Sequence, residues 1–399
     1  MTYTLPLMDS QLRFALTAER TGRRLSVPLV FRAPPSTLRT AVVDDVVQSI
    51  ASGNPALSCR VGFSRGITRQ EWQPSGCDFA ELAAPDSETA AEQTAAAVDD
   101  FETSLDEPAM AARLIRTPDA DDLLLILDHT FVDEQSLLLV KSQLATPPRP
   151  DGTPWSRYEA AVEDRLAFEA AAARGPGPAF WSERLGTIAG ALPAARLTSR
   201  SGSIIVFPAV EVPHGFSGSL FPYVLLALHG ALRDVSGSPA VIGYPWGLRN
   251  PAFPDVVGCF MNTVISVGAA GSPDTADDFL DRWFREIDHA DVPYSSVAAL
   301  EPAFSGSVSA FITLEHVGDR TVGIAGVPAV EIPSSHGYPA PGAPTEAVVV
   351  AAGNEVQLRL IVDETAVDYH AADLGDRWCR RLGEALAGFP GSSSPDRAT

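Results

Sequence analysis

His129 has the surroundings that acyl-transfer chemistry asks of a base. It follows the apolar run Leu123-Leu124-Leu125-Ile126-Leu127, with Asp128 between, and Asp133 stands four residues after it. A neutral imidazole near pH 7 can take a proton from an attacking amine or hydroxyl, which is the step acyl transfer requires. Such a base works only if it is held rigidly. The run 123–127 reads as a strand buried on both faces. From Asp133 to about Leu144 the pattern reads as a helix, with Asp133 as its N-cap and Glu134 in its first turn. Asp133 is therefore a positioning residue rather than an acid or base, and an ion pair with an arginine from elsewhere would lock the loop that carries His129. The competing reading of a lone histidine at a strand end is a core or loop side chain with both nitrogens satisfied.

The elements that must position this motif are mixed. Helices are expected around 11–19, 37–51, 86–107, 133–144 and 158–173, and strands at 25–31, 60–63, 112–115 and 123–127. In the helix 37–51, Leu38, Val42, Val43, Val46, Val47 and Ile50 recur near a 3.6-residue period, which gives one buried face. Arg174-Gly175-Pro176-Gly177-Pro178 reads as a linker. Beyond it strands are expected at 203–207, 209–212, 240–244, 311–314, 347–350 and 356–362, with helices at 223–235, 277–288 and 373–386. A chain of 399 residues exceeds what one core organises. The expectation is therefore two α/β or α+β domains, 1–173 and 174–390, followed by a disordered tail at 391–399.

Composition removes several function classes. A formal net charge of -21 disfavours nucleic acid and anionic membrane as partners. No apolar stretch reaches the roughly 18 residues of a membrane helix, and the N-terminus lacks a basic-then-apolar signal, so a soluble cytoplasmic protein is expected. Cys59, Cys77, Cys259 and Cys379 are far apart and form no CxxC pair, which leaves buried free thiols and no metal site. Walker, GxGxxG and GxSxG patterns are missing, as is any repeat of 20 to 50 residues.

The segment Asp128-His129-Thr130-Phe131-Val132-Asp133-Glu134 resembles the HHxxxDG motif of nonribosomal peptide synthetase condensation domains. Other segments match the same family in order. Pro6 to Phe14 is similar to PLSxAQxRLW, Asn54 to Val61 to RHExLRTxF, and Phe180-Trp181 to the YW that opens the second lobe. Gly247-Leu248-Arg249-Asn250 followed by Val257-Gly258-Cys259-Phe260-Met261-Asn262-Thr263 mirrors GRxx…IGxFVNT, and His289 to Tyr294 matches (H/N)QDxPF. Glu301 to Gly306 stands where the family has RDxSRNP, without its arginines.

The resemblance implies two chloramphenicol acetyltransferase-like lobes in a V-shaped pseudodimer with a central tunnel. It implies His129 as the catalytic base, braced by Asp133, Arg249 and Asp128, with Glu134, Ser136 and Asn262 along the substrate path. It further implies no cofactor of the protein's own. A phosphopantetheine arm would be presented by an acyl or peptidyl carrier protein in trans, and a small amine or alcohol would be the acceptor; a monomer is expected. Asp128 replaces the first family His and Glu134 the Gly. A buried Asp128 needs a hydrogen-bond partner or a cation. Glu134 can narrow the tunnel, bind an ammonium, add an acid/base group or simply face solvent at the positive helix end. The readings left open are acyl transfer, a binding protein that has lost condensation, and a fold re-tooled for cyclisation or elimination.

Overall fold

A computed structural model of the chain describes residues 3–64, 67–74, 76–148, 154–188, 203–214, 216, 218–247, 249–269, 275–301, 304, 306–316, 320–332 and 343–387. The expected tail 391–399, and parts of the segment 301–306, lie outside the described residues. Among the described residues are three sheets and ten α-helices.

The chain divides into two compact units that are not linear halves. One comprises Met1–Ala170, Gly247–Met261 and Asp319–Ser335; the other comprises Ala171–Trp246, Asn262–Gly318 and His336–Thr399. The division expected at 173/174 thus falls near the first boundary but lacks the two later segments that return to the first unit. The expected linker shrinks to a turn between the helices Pro154–Ala172 and Gly177–Gly186.

In the first unit the strand Asp121–Asp128 is buried at every position. It pairs antiparallel with Ser26–Ala33 on one side and with Met110–Arg116 on the other. With neighbours on both edges and covered faces, its middle, 123–127, is apolar without alternation, while the buried Asp121 and Asp122 before it pair with Arg116 and Arg32. The six-stranded sheet is completed by Asp78–Ala83 at one edge and by the hairpin Thr321–Ile324 and Val327–Ile332 at the other. The hairpin was not expected from sequence, because Gly323, Gly326 and Pro328 interrupt its pattern. Its two-residue tip, Ala325 and Gly326, has φ of 49° and 86°, the conformation that closes a tight hairpin. A non-glycine residue held there costs on the order of 1 kcal/mol. In return the Ala325 amide donates to the Leu144 carbonyl at 3.1 Å, capping the end of the helix Glu134–Ala145.

The returning segments also feed the core. Val256, Val257, Phe260, Ile324 and Ala329 pack with Leu125, Leu127, Phe131 and Val132 in one apolar cluster. Full burial of such side chains is worth roughly 1.5–3 kcal/mol each.

In the second unit the order runs Met261–Val267, Val241–Gly247, Ala310–His316, Thr345–Ala352, Glu355–Val362 and Ser203–Val206. Its core gathers Trp181, Leu228, Tyr244, Trp378 and Leu382 under the helices Phe221–Ser236 and Ala371–Ala387.

Candidate active site

The end of the strand Asp121–Asp128 turns sharply, and that turn fixes His129. Asp128 Oδ1 accepts the Thr130 amide at 2.8 Å, and the Phe131 amide donates to the Asp128 carbonyl at 2.9 Å. Thr130, Phe131 and Val132 are buried, so the segment has no room to swing. The His129 amide donates to the Leu25 carbonyl at 2.9 Å. Its ring stacks on Phe14, with centroids 4.4 Å apart and planes at 21°.

His129 Nδ1 lies 3.1 Å from the Val132 carbonyl oxygen. A carbonyl has no hydrogen to give, so Nδ1 carries the proton and Nε2 the lone pair. Nε2 has no hydrogen-bond partner among the described residues. Burial, reinforced by the nearby Arg13 charge, lowers the ring's pKa from its ordinary value of 6.5. The side chain is therefore a neutral imidazole at pH 7, with the tautomer a general base requires.

The loop after His129 is locked by Asp133 and Arg249, which the fold brings together. Asp133 Oδ1 accepts the Ser136 amide at 2.8 Å as a helix N-cap, and also Arg249 Nη2 at 2.8 Å. Its other oxygen accepts the Phe260 amide at 2.9 Å. Both side chains of the ion pair are less than a tenth exposed, so the charges are shielded from salt and water. Arg249 Nη1 donates to the Val256 carbonyl.

Ser136 takes part in this brace instead of facing substrate. Its hydroxyl accepts the Gly258 amide at 2.9 Å and Arg249 Nη2 at 3.0 Å. Its one proton is shared between the Gly258 carbonyl at 2.7 Å and Asp133 Oδ1 at 2.8 Å. Fully buried and saturated, it has nothing left for a ligand. Glu134 is exposed on the first helical turn. Asn262 belongs to the second unit, where Nδ2 donates to the Ala290 and Val292 carbonyls at 2.7 and 2.8 Å and Oδ1 accepts the Tyr294 amide at 3.3 Å. It pins that loop.

Asp128 has the cation that its burial demands. Arg24 Nη1 lies 3.6 Å from Asp128 Oδ2, with both side chains buried. Arg24 is itself held by the Phe101, Glu107 and Pro108 carbonyls and stacks 3.6 Å from the Phe101 ring centroid. Sequence reasoning missed Arg24, since nothing local links it to a residue more than a hundred positions away.

The turn has a counterpart elsewhere in the chain. Asp128-His129-Thr130-Phe131-Val132-Asp133 recurs as Asp363-Glu364-Thr365-Ala366-Val367-Asp368. Asp363 closes the same turn at the end of the strand Glu355–Val362. Its Oδ1 accepts the Thr365 amide at 3.0 Å, and its carbonyl accepts the Ala366 amide at 2.9 Å. Because the turn forms in the second unit with Glu364 in the histidine's place, Asp128 is explained as a turn residue. Of the two turns, only the first carries a histidine.

Other nucleophiles are muted. The four cysteines are free thiols, and burial pushes Cys77 and Cys259 up to about 12. Among the described residues no group of His, Cys, Asp or Glu could hold a metal ion, and no helix is long and apolar enough to cross a membrane.

No family model and no curated protein matches the sequence. Solved structures do match. A double mutant of the starter condensation domain of rhizomide synthetase RzmA, in complex with C8-CoA and Leu-SNAC, superposes with a TM-score of 0.75 at 16% identity, covering 96% of this chain and 94% of that one. The X-domain from teicoplanin biosynthesis gives 0.75 at 15% identity, covering 97% and 95%. The first condensation domain of the calcium-dependent antibiotic synthetase gives 0.71 at 14%, covering 98% of each. The chain has the condensation-domain fold, of the chloramphenicol acetyltransferase type.

Proposed function

We propose that this chain is a condensation-type acyltransferase of nonribosomal-peptide-type biosynthesis. The observation that carries the reading is the fixed His129 tautomer, with Nδ1–H bound to the Val132 carbonyl and Nε2 unpaired. The acyl group arrives as a thioester on the phosphopantetheine arm of a carrier protein in trans. Nε2 takes the proton as an amine, or an alcohol, attacks the thioester carbonyl. The C–S bond then breaks, the new amide or ester leaves, and the imidazolium returns its proton to the departing thiolate. The Ser136 amide is committed to Asp133, so any oxyanion donor is a different group. On this reading the protein acts as a cytoplasmic monomer with no cofactor of its own.

A recruitment role is the second reading. It is favoured by the equal likeness to the X-domain, which has been solved in complex with OxyB. The two are separated by incubating the chain with acyl-loaded carrier protein and a pool of amines and alcohols, then reading the carrier by intact mass. Acyl loss that requires His129 supports transfer. Stable capture of a carrier or tailoring enzyme, with the acyl group intact, supports recruitment.

A further inference from the structure

Phe14 is buried for a reason the apolar cores do not supply. Its side chain is 3% exposed, yet it lies outside the apolar clusters that take every other buried phenylalanine among the described residues. The ring it meets is the imidazole of His129, with centroids 4.4 Å apart and planes at 21°.

One piece of chain aligns the two rings. Gly258, Cys259 and Phe260 are consecutive, and each holds an element of the site. The Gly258 carbonyl accepts the Ser136 hydroxyl at 2.7 Å and the Phe260 amide donates to Asp133 Oδ2 at 2.9 Å, which sets the start of the helix after His129. The Cys259 carbonyl accepts the Ser10 hydroxyl at 2.6 Å, which sets the first turn of the helix Asp9–Thr21. Gln11 Oε1 accepts the Met8 amide at 3.0 Å at that same turn. Phe14 lies four residues after Ser10, on the same face of the helix. The phenyl ring is therefore registered to the segment that braces the histidine.

The stack does what the ring's hydrogen bond cannot. The bond from Nδ1–H to the Val132 carbonyl, at 3.1 Å, fixes one direction within the imidazole plane and leaves the side chain room to rock about that line. A flat partner fixes the plane itself. A phenyl face also attracts cations, and by itself would favour the imidazolium. Burial and the Arg13 charge oppose this and lower the ring's pKa, with the Arg13 guanidinium carbon 5.0 Å from the Phe14 centroid. We propose that Phe14 is a positioning residue for His129, its face setting the imidazole plane and so the line along which Nε2 is presented. The contact stands by itself; its kinetic consequence rests on the reading of His129 as an acyl-transfer base.

Carbon-13 relaxation of the His129 ring, with kinetics of acyl transfer, tests this on the full chain and on Phe14→Leu. Leucine keeps the helix and an apolar side chain but has no flat face. The ring order parameter should fall from about 0.85, the rigid value, to about 0.6 or less. In the same variant kcat should fall about 10- to 100-fold with KM within about twofold, because a base displaced by about 1 Å loses rate on that scale without losing substrate binding. Hydrogen exchange at 129–136 should stay within about twofold of the parent, since that turn keeps its own bonds. Should Phe14→Leu not fold, Phe14→Met, unbranched and adaptable, takes its place. An unchanged ring order parameter, a kcat that survives loss of the phenyl face, or opening of 129–136 along with the ring would each overturn the assignment. If the parent transfers no acyl group, the acyltransferase reading falls, and the order parameter and hydrogen exchange alone decide the role of Phe14.

Discussion

Replacing Asp133 by Asn tests whether the brace holds the His129 segment. The variant keeps an oxygen for the Ser136 amide, so the helix cap survives. It removes the charge facing Arg249 and, with its oxygen kept at the cap, sets an NH2 group against the Phe260 amide, also a donor. Breaking a buried ion pair by removing one partner costs about 3–5 kcal/mol. At 1.4 kcal/mol per factor of ten, that is roughly a hundred- to several-thousand-fold in the opening equilibrium of the segment. With two units, a single global unfolding free energy is poorly defined. Hydrogen exchange by mass spectrometry reads local opening directly. Peptides covering 129–136 should lose that much protection, while those covering the sister turn Asp363–Thr365 should not change. Less than a fivefold loss at 129–136, or an equal loss at both turns, would refute the reasoning.

The lowered pKa of His129 places the acid limb of any His129-dependent rate below 6.5, because the base form persists into mildly acidic solution; a limb above that value in kcat/KM profiles contradicts it. Glu346 is pushed up to about 7, first by burial, with Glu315 adding to the shift and Arg359 opposing it. A carboxyl raised in the folded state stabilises that state while protonated, fully below its ordinary 4.5 and no longer above about 7. Glu346→Gln should therefore match the parent near pH 4 and exceed it at pH 8 by about 3 kcal/mol in the urea transition of the second unit, to which it belongs; parallel curves would count against this. Gly375→Ala sets two terms in opposition. Helix propensity favours Ala by about 1 kcal/mol, but its Cβ would lie 1.9 Å from Phe207 Cζ, and overpacking costs about 1–3 kcal/mol. Thermal melts should show net destabilisation, and a raised Tm would mean Phe207 turns aside freely.

What the sequence revealed follows from how local each signal is. The strand carrying Asp128 and the helix after Asp133 are written in consecutive residues, and Arg249 was found because it lies in a recognisable segment. Ser136 could be located but not interpreted, since its saturation depends on Gly258 and Arg249, contributed from over a hundred residues away. Arg24 and the hairpin 321–332 were invisible for the same reason: their partners are made by tertiary pairing, and the hairpin's glycines and proline blur its alternation.

The central claim is that His129 is presented as a neutral base with Nδ1 protonated and Nε2 open. Nitrogen-15 NMR of the histidine-labelled protein at pH 7, with His129 assigned by its loss in His129→Gln, measures this directly. A proton-coupled Nδ1 and an unprotonated Nε2 are expected. A protonated Nε2, in either the other tautomer or an imidazolium, would contradict it.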